Sequence, residues 1–329
     1  MAMSLDFESL TLTEIIRLQN QLSQVLTRRF ERYVAVAFSD IVGSTPYFAR
    51  WGDEAGRKLQ QLHFDLLQQV LPKYEGRIVD TAGDGAFTAF PRVDAATDAL
   101  IDFQKRVSLE NVNRSRDHQL AVRMGIHWGA VLTDGVQVTG DAVNLCSRVT
   151  ATASGGEIRL TREAFQELSG VGRRLSCRPL PSVPLKGINR TVELMRMEWR
   201  DRSLFPIRMK IEETGEEIPL PDQDTVTFGR LKENDGVRAN DVVLALPDKA
   251  LTQQISRWQF ELRRQADGLF LRAVSDQITE VDGKAVLKGE QIVIRPGTGV
   301  RVARVMTIWF LGEAFASQSR DATIFPTTR

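Results

Sequence analysis

Residues 76–90 read GRIVDTAGDGAFTAF. Two β-prone runs flank Gly83-Asp84-Gly85, and Gly and Asp are residues that tolerate the backbone of a tight hairpin turn. The pattern predicts two antiparallel strands with Asp84 in the turn. Toward the N-terminus, residues 53–70 place Leu59, Leu62, Leu66, Leu67 and Val70 on one helical face. Ahead of that helix, YVAVAFS (33–39) reads as a buried strand. Toward the C-terminus, 94–109 reads as a helix and QLAVRMGIH (119–127) as a strand. The order βαββαβ implies an α+β fold, a ferredoxin-like sheet with helices on one face. A helix over 141–152, a strand at 157–160, a helix at 162–168 and a closing hairpin within 180–199 complete the expectation.

The character of the chain changes near residue 200. ETGEEIPLPDQDT (213–225) is acidic and carries two prolines. Short runs then recur between turn residues: VTFG, DVVLAL, WQFELRR, GLFLRAV, KAVLKG, EQIVIRP and GVRVARV. That regular spacing predicts an all-β sandwich. Near the start, Ile15, Leu18, Leu22 and Val25 alternate steps of three and four. They form either a short coiled-coil seam for a dimer contact or one face of a helix packed on its own domain. The expected organisation is an N-terminal helix in 1–30, an α+β domain over 31–200, a β-sandwich over 203–313 and a polar, mobile tail over 314–329.

Composition narrows the class. In 329 residues, 42% are hydrophobic and 26% charged, so a collagenous, mucin-like or largely disordered chain is excluded. Forty-three basic residues offset 42 acidic ones, which leaves no bulk attraction to nucleic acid or acidic membranes. The two cysteines, Cys146 and Cys177, cannot build a disulfide framework, so a reducing compartment is expected. No apolar run approaches the roughly 18 residues of a membrane span. MAMSLDFESL has no basic start followed by an apolar core, so no secretory signal is expected and the reading is cytoplasmic.

The chemistry concentrates in three stretches. Asp40 ends the first strand, just before Gly43-Ser44-Thr45. The hairpin carrying Asp84 lies beside that strand in a βαββαβ sheet, so both carboxylates can meet at one sheet edge. Two carboxylates with open positions suit Mg²⁺ or Mn²⁺, which bind nucleotide phosphates. The Gly-Ser-Thr turn leads into a helix whose N–H groups can face a polyphosphate. The plainer alternative makes Asp40 a helix cap and Asp84 a turn former. In GDAVNLCSR (140–148), Asn144 and Arg148 are four apart and share a helical face. An amide and a guanidinium there suit a ribose and a developing phosphate charge, unless the face is merely solvated. His63, His118 and His127 show no zinc-type spacing, and His127 reads as structural.

Together FSDIVGST (38–45), TAGDGAFTAF (81–90), VRMGIHWG (122–129), GDAVNLCSRV (140–149) and PLKGI (184–188) resemble the catalytic domain of class III adenylate and guanylate cyclases across residues 36–199. The resemblance implies a head-to-tail homodimer with active sites at the interface. Asp40, Asp84 and the backbone carbonyl of Ile41 of one chain would hold two Mg²⁺ or Mn²⁺ ions per site. Asn144 and Arg148 of the other chain would orient the ribose and stabilise phosphoryl transfer, and Lys186 would contact the triphosphate beside Gly43, Ser44 and Thr45. Two base-reading positions depart from the adenylate pattern. Asp80 stands where adenylate cyclases usually have Lys, and Gln137 where they usually have Asp or Thr. An accepting carboxylate and a donating amide suit guanine. Most bacterial-looking relatives use ATP, and ATP is set slightly ahead of GTP. Asp80 read plainly is a strand residue facing solvent.

The second domain resembles a forkhead-associated domain, a β-sandwich that binds phosphothreonine. FGR (228–230), SRWQ (256–259) and SDQITEVDG (275–283) carry the resemblance. Arg230 and Ser256 match phosphate ligands, and Arg257 the adjacent loop position. Asp276 replaces a neutral residue, and Gln277 replaces the Asn that grips the peptide backbone. The partner implied is a phosphothreonine protein, or the chain's own tail phosphorylated at Thr323. The resulting expectation is a purine nucleotidyl cyclase coupled to threonine phosphorylation. The alternative is a phosphothreonine adaptor with an inactive cyclase domain.

Overall fold

The computed structural model describes residues 10–185, 187–188 and 191–313. One compact unit ends at Trp199 and a second begins at Arg200.

The first unit opens with α1 (Leu12–Phe30), started by a capping box in which Thr11 and Glu14 satisfy one another's backbone N–H groups. Its sheet comprises β1 (Glu31–Ile41), β2 (Arg77–Ala82), β3 (Gly85–Phe90), β4 (Val122–Thr133), β5 (Val138–Thr139), β6 (Ile158–Thr161), β7 (Cys177–Pro179) and β10 (Leu194–Met197). The short pair β8 (Val183–Pro184) and β9 (Thr191–Val192) lies apart from it. The sheet order is β2-β3-β1-β4-β6-β10-β7, with β5 on β4. Its first four strands are antiparallel in the order expected of a βαββαβ layer. The helices are α2 (Ser44–Val70), α3 (Val93–Asn111), α4 (Asp141–Ala151), α5 (Arg162–Gln166) and α6 (Val171–Leu175).

Strand alternation puts separate apolar clusters on the two faces of this sheet. Ala35, Ala37 and Ile41 of β1, with Val122, Met124 and Ile126 of β4, pack against Leu59, Leu66 and Leu67 of α2 and Leu100 and Phe103 of α3. Val36 instead packs with Phe87, Ala142 and Cys146, which puts α4 on the opposite face. The expectation of helices on one face is therefore corrected. The two alternating sets of β1 side chains are both apolar, so each needs a cover.

Other boundaries also shift. α2 begins at Ser44 and is interrupted at Gly52, where φ is 81°. Aliphatic periodicity marks only the segment after that break. The closing ladder joins β10 to β7 and to β6, so its partners extend outside 180–199. Among the described residues, no helix is long and apolar enough to cross a membrane.

The second unit is dominated by β structure. One sheet runs β12 (Glu217–Pro219), β11 (Arg208–Ile211), β23 (Met306–Leu311), β22 (Gly299–Val302), β19 (Thr279–Val281), β20 (Lys284–Val286). The other runs β16 (Val242–Val243), β13 (Thr225–Gly229), β17 (Phe260–Arg264), β18 (Leu269–Ala273), β21 (Gln291–Ile294). β14 (Glu233–Asn234) and β15 (Val237–Arg238) form a small ribbon, and α7 (Lys249–Gln254) is a single short helix. Residues of both sheets share one core, with Phe228 edge-on to Phe310 at 6.5 Å.

Candidate active site

Asp40 lies within β1, on the α4 side of the sheet. It is not a helix cap: the cap of α2 is Gly43, at φ 75°, and no side chain caps that terminus. Pro46 in the first turn has no N–H, and the Tyr47 N–H donates to the Gly43 carbonyl at 3.0 Å. The N–H groups of Ser44 and Thr45 are the donors that this terminus offers to an anion. Ile41 is buried, and the following Val42 N–H donates to the Ala121 carbonyl at 2.8 Å.

Across the ladder, Asp40 is the register partner of Arg123. Its Oδ2 accepts from Arg123 Nη2 at 2.6 Å and from Nε at 2.8 Å. Its Oδ1 lies 3.5 Å from where a Cβ on Gly85 would stand, so this oxygen is turned toward the β2–β3 turn. In that turn φ is positive at Gly83 (62°), while Asp84 is absent from the residues with positive φ. Asp84 Oδ2 is buried and has no hydrogen-bond partner among the described residues. A buried carboxylate oxygen without a donor costs free energy unless a proton or a cation meets it.

The donor set fits a hard divalent cation. Asp40, Asp84 and the Ile41 carbonyl offer oxygen only, as Mg²⁺ and Mn²⁺ prefer, and leave coordination positions for phosphate and water. Among the described residues, no group of three or more His, Cys, Asp or Glu side chains forms a metal cage.

A cavity of about 840 Å³ opens beside this pair, within the size range of small-molecule sites. Asp40, Arg123, Asp80 and Gln137 line it over the stacked rings of Phe38 and Phe87, whose centroids are 4.8 Å apart. Asp80 is exposed, and its Oδ1 accepts from the Thr81 N–H at 2.8 Å. The backbone of Gln137 is held on both sides. Its N–H donates to Asp134 Oδ1 at 2.8 Å, and its carbonyl accepts from Thr133 Oγ1 at 2.6 Å. The N–H groups of Val136 and Gln137 hold the Asp134 carboxyl below its usual range.

Asn144 and Arg148 line a different cavity, of about 540 Å³, with His127 and Asp141. Two glycines of β4 position the helix that carries them. A Cβ on Gly125 would stand 2.8 Å from the Thr150 backbone nitrogen, and one on Gly129 3.0 Å from Ala142 Cβ. Cys146 is fully buried against the sheet, with Sγ 3.2 Å from the Val36 carbonyl. Arg148 lies over Gly187, where a Cβ would meet its Nη1 at 3.0 Å. Lys186 lies outside the described residues. His127 Nδ1 pairs with Thr161 Oγ1 at 2.9 Å in the interior, while His118 meets the Tyr47 hydroxyl.

Two residues near the carboxylates were given no role in the site by the sequence reading. Arg123 can be found only from the β1–β4 register. His63 left a visible signal, a histidine in the apolar stripe between Leu59 and Leu66. Burial pushes its pKa down to about 4, against the smaller opposing effect of the Asp84 carbonyl and charge.

In the second unit the three resembling stretches converge. A Cβ on Gly229 would stand 2.1 Å from the Arg257 carbonyl, so glycine alone lets the 256–258 loop cross β13 beside Arg230. The exposed Arg230 donates its backbone N–H to the Ser256 carbonyl at 3.0 Å. The Ser256 and Ser275 hydroxyls are hydrogen bonded. Gln259, overlooked in the sequence, clamps both loops: it accepts from the Ser256 N–H and donates to the Gln277 carbonyl. Asp276 pairs with Lys288 at 2.9 Å, the exposed Gln277 donates its N–H to Ser275, and the Arg257 guanidinium lies 5.7 Å from the Trp258 ring centre. Thr323 lies outside the described residues.

A βαββαβ layer with antiparallel first strands and an acidic pair at one end of its central ladder is an α+β architecture. Residues 27–197 match the family described as the adenylate and guanylate cyclase catalytic domain, and the chain belongs to that family. The adenylate cyclase of Mycosarcoma maydis is 31% identical over a 162-residue alignment that covers 42% of this chain and 6% of that protein. The adenylate cyclase of Lachancea kluyveri is 29% identical over a 161-residue alignment that covers 42% of this chain and 9% of that protein. The chain thus spans less than a tenth of the length of these two relatives. A crystal structure of the adenylyl cyclase CyaB from P. aeruginosa superimposes with a TM-score of 0.45 at 24% identity, covering 51% of this chain and 94% of that one.

Proposed function

We propose that this chain is a nucleotidyl cyclase. It converts a purine nucleoside triphosphate, with ATP set ahead of GTP, to the 3′,5′-cyclic monophosphate and pyrophosphate. The observation that carries the reading is the unpartnered, buried Asp84 Oδ2 at the ladder end that also holds Asp40. Divalent cations held by Asp40, Asp84 and the Ile41 carbonyl supply Lewis acidity toward phosphate and ribose oxygens. Ser44 and Thr45 N–H groups bind phosphate oxygens, and Lys186 adds a positive charge there. Arg148 neutralises charge that develops on the transferred phosphoryl group, and Asn144 orients the ribose. Asp80 and Gln137 read the base edge.

Asp40 and Asn144 line separate cavities of one chain, which supports a site completed by a second copy. The homodimer is therefore part of the reading. The test is product formation by the purified protein with ATP, GTP, CTP or UTP and Mg²⁺ or Mn²⁺. A cyclic product that disappears in Asp84→Ala is the expected result. No product from any nucleotide would leave the adaptor reading.

The second unit supports a phosphothreonine-binding role. The Arg230 N–H donates to the Ser256 carbonyl and the Ser256 and Ser275 hydroxyls are hydrogen bonded, which draws the three residues together, and a phosphate dianion needs such donors. Lys288 offsets the charge of Asp276. Phosphothreonine peptides, including one spanning Thr323, should bind the wild type and lose binding in Arg230→Ala. Equal binding by the variant would reject this role.

A further inference from the structure

His63 is fully buried in α2. Its ring is held on two sides, with Phe64 near-parallel at 5.2 Å and Phe103 tilted at 5.6 Å. Both nitrogens are used. Nδ1 lies 3.0 Å from the Asp84 backbone carbonyl, and Nε2 lies 2.9 Å from Ser39 Oγ. A carbonyl only accepts, so Nδ1 carries the hydrogen and Nε2 accepts a hydrogen bond from the Ser39 hydroxyl. The partners decide the tautomer.

Those partners belong to the two carboxylate-bearing segments. Ser39 immediately precedes Asp40, and Asp84 is itself in the β2–β3 turn. The last β1–β3 register pair is Ser39↔Ala86, so Asp40 and Asp84 both lie past the end of that ladder. Backbone pairing between these two strands stops short of the carboxylates, and the imidazole spans the gap. The same ring belongs to α2, whose N-terminus offers the Ser44 and Thr45 N–H groups.

We propose that His63 is a positioning residue: it sets the spacing of Asp40 and Asp84 by joining Ser39 to the Asp84 carbonyl. The proposal rests on the reading of Asp40 and Asp84 as cation ligands. His63 hydrogen-bonds the backbone and a hydroxyl rather than either carboxylate, so it acts through the geometry of the pair. Partners one shell out from a metal site commonly change its affinity by about 10–100-fold when removed.

The two bonds can be separated by substitution. Asn places an amide near the Nδ1 position and can keep the bond to Asp84. Gln reaches the Nε2 position and can keep the bond to Ser39. Leu keeps neither. The experiment is Mn²⁺ binding to the full-length protein, read by the electron paramagnetic resonance of free Mn²⁺, with the thermal midpoint measured alongside. Leu66→Ala serves as a core variant that leaves both hydrogen bonds in place, and Asp84→Ala as a ligand variant.

His63→Gln and His63→Leu should weaken binding about ten-fold or more. His63→Asn can keep the bond to Asp84 but loses the link to Ser39, so it too should weaken Mn²⁺ binding. Leu66→Ala should lower the thermal midpoint without that loss of affinity. Wild-type affinity in His63→Gln and His63→Leu would overturn the proposal, as would a loss that follows the thermal midpoint across all variants. Mn²⁺ binding that is absent from the wild type, or unchanged in Asp84→Ala, would instead overturn the cation-site reading on which the proposal stands.

Discussion

Arg123 and Asp40 face one another across the β1–β4 ladder, and both contacts from the guanidinium fall on a single carboxylate oxygen, Oδ2. The two side chains are 31% and 29% exposed, so water screens the pair only partly. Asp84 is the opposite case, with a buried oxygen that no described residue satisfies. The two carboxylates should therefore differ in stability although both are assigned to one site. Without added metal, Asp40→Ala strands a guanidinium and should cost about 1–3 kcal/mol. Asp84→Asn removes an unsatisfied charge and should be neutral within about 0.5 kcal/mol, or stabilising. Urea denaturation of the three proteins checks this. Added Mn²⁺ should raise the melting temperature of the wild type and of neither variant. Equal losses in both variants would contradict the assigned geometry.

Close approach of α4 to the sheet gives a second contrast. A Cβ on Gly125 would stand 2.4 Å from Thr150 Oγ1 and 3.1 Å from Thr150 Cα, so the helix backbone has to move. Gly125→Ala should destabilise by about 1–3 kcal/mol. It should also lower cyclase turnover, because α4 carries Asn144 and Arg148. Gly172 lies exposed in α6, with nothing within 4 Å of its Cβ position. Gly172→Ala should leave turnover unchanged and add about 0.5–1 kcal/mol. Melting curves and product assays on the two variants decide it. A Gly125→Ala protein as stable and active as the wild type would show that α4 does not need this contact.

The parts of the fold that were legible depend on short-range patterns. The β2–β3 turn is coded by Gly83 and Asp84 themselves, and the helical stripe of α2 by residues within two turns of each other. Arg123 was not legible because its partner lies 83 positions away and is reached only through the register of β1 with β4. The side of the sheet that α4 occupies was not legible either. β1 is apolar on both faces, so alternation alone could not say which face took which helix. His63 was legible as an anomaly, but its two partners come from segments that only the folded sheet brings together. The motifs named both carboxylates from local sequence, whereas their different electrostatic settings arise from tertiary contacts.

The cysteines test the separation of the clusters on the two faces. Cys146 is buried beside Val36 and Phe87, and Cys177 packs on the other cluster with Met197 and Leu168. Burial pushes both thiols up, Cys177 to about 11 and Cys146 further. The thiolate is the reactive form, so both should react slowly near pH 8. In the native protein Ellman's reagent should modify Cys177 first and spare Cys146, and denaturant should release both. Simultaneous fast reaction of the two thiols in the folded protein would contradict this packing.

The N-terminal helix presents the sharpest mismatch between sequence and surroundings. No residue of α1 is buried, yet Ile15, Ile16, Leu22, Val25 and Leu26 are all between 45% and 55% exposed. The capping box and basic last turn make it a well-terminated helix, so its apolar side chains are not the by-product of fraying. A two-stranded seam with a second copy would cover them. Leu22→Glu combined with Val25→Glu should therefore shift sedimentation velocity toward the monomer and reduce cyclase activity most at low protein concentration. The thermal midpoint at concentrations where both proteins are monomeric should not change, because neither side chain belongs to a buried core. Identical sedimentation of variant and wild type would remove α1 from the dimer. A lowered monomer midpoint would instead show that α1 packs on its own domain.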